Sequence, residues 1–119
     1  MIRYLLFGSI LLSTMVLAQD NEEGRHLYFQ KGCNNCHGTN AEGSSYYPPL
    51  AHKKEAYLQE KLFAFQRGEA SSQKAEVMFT FAKSLSKEQI LQLSSFLANF
   101  QDQTTQNYEI SDDLLGGTN

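Results

Sequence analysis

The chain's only two cysteines and one of its three histidines stand together as Cys33-Asn34-Asn35-Cys36-His37. Two thiols three positions apart can each add to one vinyl group of a single haem, and the adjacent imidazole is then pinned beneath the iron as its ligand. A Cys-x-x-Cys pair without the histidine would serve equally as a redox disulfide, but no thioredoxin-like βαβ context surrounds it. Zinc needs four ligands, and His26 and His52 could complete the set. Structural zinc sites usually draw on a second closely spaced ligand pair, however, and the sequence has none. The motif therefore points to one covalent haem c, held by Cys33 and Cys36, with His37 on the iron.

A second axial ligand is sought among Met78, His52 and His26. A thioether favours the reduced state and raises the potential, which suits electron transfer. A lone methionine in a helical stretch is ordinarily core. Met78 is nevertheless the expected ligand, because the other methionines, Met1 and Met15, fall in an N-terminal leader. It also lies between the middle and last helices, where a chain folded over a haem would return. His52 in a loop and His26 in the first helix are expected at the surface. Downstream of the motif, Tyr46-Tyr47-Pro48-Pro49-Leu50 is either a plain turn or the source of a rigid proline carbonyl facing His37 Nδ1.

The elements that must position these residues are helical. Residues 22–31 form a short helix with Leu27 and Tyr28 on its apolar side, stopped by Gly32. Residues 33–50 are loop apart from what the cysteines impose, and 54–67 are a helix with Leu58, Leu62 and Phe65 at helical spacing and Phe63 widening the stripe, ended by Gly68. A polar loop over 69–74 leads to a short helix within 75–83. Ser86 and Gln89 form a capping box opening the last helix, in which Ile90, Leu93, Leu97 and Phe100 share a face with Phe96 beside them. No alternation long enough for a sheet appears, so the fold is expected to be all-α.

The first residues belong to another regime. Arg3 is the only charge before Asp20, the stretch from Leu5 to Leu17 is almost wholly apolar, and Val16-Leu17-Ala18 suits a signal peptidase. That stretch falls short of the about 20 residues that span a bilayer. Residues 1–18 therefore read as a cleaved leader exporting the protein to the periplasm, with one domain over 19–100 and a polar tail over 101–119. Loss of Arg3 takes the formal charge from −3 to −4. That balance argues against nucleic acid, which wants a clustered basic face.

With these residues in place, the chain resembles class I c-type cytochromes, in particular the small c553-like monohaem proteins and the single domains of the c4 type. The likeness runs from Glu22 to Phe100 through Cys33-x-x-Cys36-His37-Gly38, Tyr47-Pro48-x-Leu50-Ala51, Tyr57-Leu58, Gly68, Met78 and Leu85-Ser86. It implies about four helices around one haem, with the Pro48 carbonyl on His37, Leu50 packed on the haem and Met78 as axial ligand. It also implies that Gly24 and Tyr28 cross the last helix near Leu93 and Phe96. The chain departs from the pattern at Glu69 and Ala70, where a basic residue commonly helps hold a propionate. It departs again at His52 and Lys53, where Gly and Gln are common, and the tail has no counterpart.

The expected function is one-electron transfer between exported redox partners that dock briefly. The protein is expected to be a monomer, reaching a membrane only through a partner. No nucleophile, base or phosphate loop suggests an enzyme. Two alternatives stand beside this: a dedicated subunit of a dehydrogenase or oxidase, contacted through Asp112-Asp113, and a haem sensor or peroxidase-like protein in which Met78 dissociates. Lys31, Lys53, Lys54, Lys74 and Lys83 are either a docking patch or scattered solvated surface.

Overall fold

The computed structural model describes residues 21–101. The expected leader over 1–18 and all of the expected tail except Gln101 lie outside the described residues. Within the described residues the chain is helical without strands, in five pieces: α1 (21–30), α2 (Asn34–His37), α3 (Glu55–Gln66), α4 (Met78–Lys83) and α5 (Lys87–Ala98). A 3-10 turn over Lys74–Val77 runs directly into α4. The single short helix expected within 75–83 is thus two segments, with Met78 opening the second.

α5 organises the core. Its capping box forms as the residue types require: Gln89 N–H donates to Ser86 Oγ at 3.1 Å, and Ser86 N–H donates to Gln89 Oε1 at 3.0 Å. Ile90, Leu93, Phe96 and Leu97, with Phe100 just beyond the helix, then share one buried face. Each side chain of that size contributes about 1.5–3 kcal/mol when fully withdrawn from water.

α1 lays Leu27 and Tyr28 onto this face, and it comes close because Gly24 has no side chain. A Cβ there would fall 2.6 Å from Phe96 Cβ, inside van der Waals contact, and closer still to the Gln92 carbonyl. The α1–α5 crossing expected from the resemblance is present, with the Tyr28 and Phe96 rings 5.9 Å apart.

α3 packs against both α5 and α4. Of its expected apolar stripe only Leu58 is buried; Leu62, Phe63 and Phe65 are half-buried. Leu58, Leu62 and Phe65 also wall a cleft, Leu58 belonging to the core cluster and Leu62 packing against it. Among the described residues no helix is long and apolar enough to cross a membrane.

Candidate functional site

One helical turn sets the thiols. Cys33 stands at the N-cap of α2 with helical dihedrals, and His37 N–H donates to its carbonyl at 2.9 Å. Positions i, i+3 and i+4 of a helical turn share a face, so Cys33, Cys36 and His37 are presented together. Neither sulfur is in a disulfide; Cys33 is half-buried and Cys36 exposed. Burial, above all, pushes the Cys33 thiol pKa up. The turn is anchored to α1, since Cys33 N–H donates to Tyr28 O at 3.0 Å and the Tyr28 hydroxyl donates to Gly38 O at 2.6 Å.

His37 is buried, at 6% exposure, and its Nδ1 lies 2.9 Å from the carbonyl oxygen of Pro48. A carbonyl only accepts, so Nδ1 carries the proton and Nε2 keeps its lone pair. The loop bearing Pro48 is itself well held. Ser44 Oγ accepts from the Tyr46 and Tyr47 N–H groups, Ser44 N–H donates to Tyr47 O at 2.8 Å, and Leu50 N–H donates to Ala41 O at 2.9 Å. Gly43, at φ +66°, lies so close to this loop that a Cβ would sit 2.5 Å from Pro49 N and 2.6 Å from Pro48 C.

All six residues singled out in the sequence, Cys33, Cys36, His37, Pro48, Leu50 and Met78, line one cleft of about 470 Å³. They come from three separate stretches of chain: α2, the following loop and the start of α4. Leu58 and Leu62 of α3 and Leu93 and Leu97 of α5 supply apolar wall. Neither His26 nor His52 lines it; both are exposed. His52 sits at φ +63°, its N–H donating to Leu97 O at 2.9 Å and its ring edge-on to Phe100. Among the described residues, no group of three or more His, Cys, Asp or Glu side chains gathers as a metal site of the zinc kind.

Four charged side chains line the cleft: Lys31, Lys53, Lys61 and Lys74. No carboxylate does. Lys74 Nζ stands 3.4 Å from the centroid of the Tyr46 ring, joining the 3-10 turn to the Pro48 loop across the mouth. Of the lysines considered for a docking patch, Lys54 and Lys83 are not part of this lining, whereas Lys61 is part of it and escaped sequence reading. Spacing on α3 was its only signal: Lys61 falls between Leu58 and Leu62, on the stripe's flank. Glu69, standing where the resembling family commonly has a basic residue, pairs with Arg67 at 3.1 Å, and Arg67 also holds Glu60 at 2.8 Å.

The sequence model of the family described as "Cytochrome c" matches residues 21–101, more than half of the chain. The chain belongs to the cytochrome c family. It is similar to cytochrome c-554(547) of Halothiobacillus neapolitanus, with 29% identity over 92 residues covering 71% of this chain and all of that protein. The cytochrome is thus an all-α electron-transfer haem protein with one covalently attached haem c. The residues present fit that group: two unbridged thiols on one turn, a buried imidazole with Nε2 uncommitted, and apolar walls from α3 and α5.

Proposed function

We propose that this cytochrome is an exported carrier of single electrons, with haem bonded to Cys33 and Cys36 and its iron held between His37 and Met78. The observation that carries this reading is the joint one: Cys33, Cys36, His37 and Met78 share a single cleft, and Pro48 fixes the His37 tautomer. The haem iron supplies a reversible one-electron couple. The chain's part would be to supply two side-chain ligands to the iron, His37 and Met78, which would leave no iron site for a substrate and favours carriage over catalysis. Leu50 packs on the macrocycle, and the apolar walls keep water from it. Docking is brief and electrostatically guided, as suits a small interface, and the lysine rim of the cleft is the surface offered to redox partners. The leader directs the chain to the periplasm, where it acts as a monomer.

The test is spectroscopic. The full precursor, expressed with haem-maturation machinery, is expected to carry covalent haem with a far-red sulfur-to-iron band in the ferric state. Met78→Ala should lose that band and keep the haem. Covalent haem without the band in the wild-type protein would defeat the ligand assignment, and absence of covalent haem would defeat the whole reading.

A further inference from the structure

Gln66, the last residue of α3, does not line the cleft, yet it is tied to the element that carries Met78. Its Nε2 donates to Ala82 O at 2.9 Å and to Leu85 O at 2.7 Å. Those carbonyls belong to the end of α4 and to the turn that passes the chain to α5. One carboxamide thus uses both of its hydrogens to join the end of α3 to the end of α4.

Little else holds α4 from the other side. Residues 67–77 are exposed except for Ala75, and Lys74 over the Tyr46 ring is the tertiary anchor that this stretch gives to the chain preceding Met78. Beyond Met78 the anchors are buried Ala82 and Leu85, the Phe79 ring 6.3 Å from that of Phe65, and the Gln66 clamp. Met78 is the first residue of a six-residue helix and lies one helical turn before Ala82. Where a short element has few contacts, local opening is easy, and a single clamp weighs heavily on how often it occurs.

We propose that Gln66 is a positioning residue for the axial thioether: by clamping the C-terminal end of α4 to α3, it governs how long Met78 stays on the iron. This rests on Met78 being the sixth ligand. Groups that touch no metal but orient its ligands act in this way. Gln66 reaches its ligand through the backbone of a helix instead of through the ligand's own side chain.

The experiment uses the full haem-loaded protein in the ferric state, with imidazole as the probe. Imidazole displaces the Met78 thioether: one dative bond to iron replaces another, and no electron moves. At saturating imidazole the rate reports release of Met78. Gln66→Leu, which keeps the bulk and loses the donors, is expected to raise that rate roughly tenfold, the scale of one to two net hydrogen bonds. Gln66→Glu, nearly isosteric but facing two carbonyl oxygens with a carboxylate, is expected to raise it further. Leu27→Ala, in α1, should lower the global unfolding midpoint and leave the rate unchanged.

Wild-type rates in both Gln66 variants would overturn the proposal. So would an equal acceleration by Leu27→Ala, which would mean that imidazole enters by global unfolding. If Gln66→Leu fails to accumulate with haem, Gln66→Met, which keeps the straight stem, carries the same comparison. Failure of the underlying ligand assignment looks different: the wild-type protein would lack the sulfur-to-iron band, and Met78→Ala would bind imidazole no faster than it. That result would sink both.

Discussion

His37 Nδ1 and the carbonyl oxygen of Pro48, eleven positions apart in the chain, lie 2.9 Å from one another. The relationship depends on a third residue that touches neither the imidazole nor the cleft. Gly43 leaves room for the 47–49 segment to pass where any Cβ would stand, and its N–H donates to His37 O at 2.8 Å.

Gly43→Ala should therefore push the Pro48 carbonyl away from His37. A weaker Nδ1–H···O bond makes the imidazole a poorer donor to the ferric iron. The midpoint potential is expected to rise by roughly 30 mV, about a threefold change in the ferric-to-ferrous ratio at fixed potential. Potentiometric titration of the variant checks this, and an unchanged or lower potential would count against the bond's role.

Gly24→Ala sets two effects against each other. Helix propensity alone favours alanine by about 1 kcal/mol. The added methyl, however, meets Phe96 Cβ and the backbone of Gln92, which cannot swing aside like a flexible side chain. Overpacking of this kind costs about 1–3 kcal/mol. A net loss of stability is expected in denaturant unfolding; a gain would show that α1 and α5 separate freely.

Tyr28 makes stability depend on alkaline pH. Its ring is fully buried and its hydroxyl donates to Gly38 O. Burial above all, joined by the nearby Glu42 carboxylate, pushes its pKa well above the usual phenol range. The folded state then holds the proton more tightly than the unfolded state. This contribution is complete below about pH 10 and declines as pH rises above it. Tyr28→Phe should be less stable at pH 7 by about 1 kcal/mol through the lost hydrogen bond. Its stability should also fall less steeply above about pH 10. Chemical denaturation at a series of pH values distinguishes the two slopes.

The lysine rim opposes the molecule's net charge. The chain is formally −3, yet the charged side chains lining the cleft are all Lys. Oxidation of the ferrous protein by ferricyanide, one electron passing to give ferrocyanide, should slow as salt is added. A reaction governed by net charge would accelerate instead. Lys61→Gln with Lys74→Gln should cut the low-salt rate several-fold and flatten the salt dependence. Stopped-flow measurements across ionic strength read both effects, and acceleration by salt in the wild-type protein would refute the charge assignment.

Much of this architecture is legible in the sequence, for a common reason. The Cys33-x-x-Cys36-His37 motif, the Ser86–Gln89 box and the face of α5 are each set by residues within a turn or two of one another. Geometry over that range follows from helix periodicity and capping chemistry. The ends of α1 and α3 were legible within a residue or so because Gly32 and Gly68 follow them.

What the sequence determined by itself is the chemistry and the secondary structure: an all-α chain, two thiols and an imidazole on one turn, and Met78 as a residue to watch. What only the tertiary structure decided is which of these residues meet. Loop closure brought Pro48 to His37 past Gly43, helix packing placed Leu62 and Phe65 along the cleft wall, and Gln66 found its carbonyls at and just beyond the end of another helix. Such contacts join residues from eleven to nineteen positions apart, or on different helices. No local periodicity encodes them, because they depend on how the packed elements fit together and not on any element's own repeat.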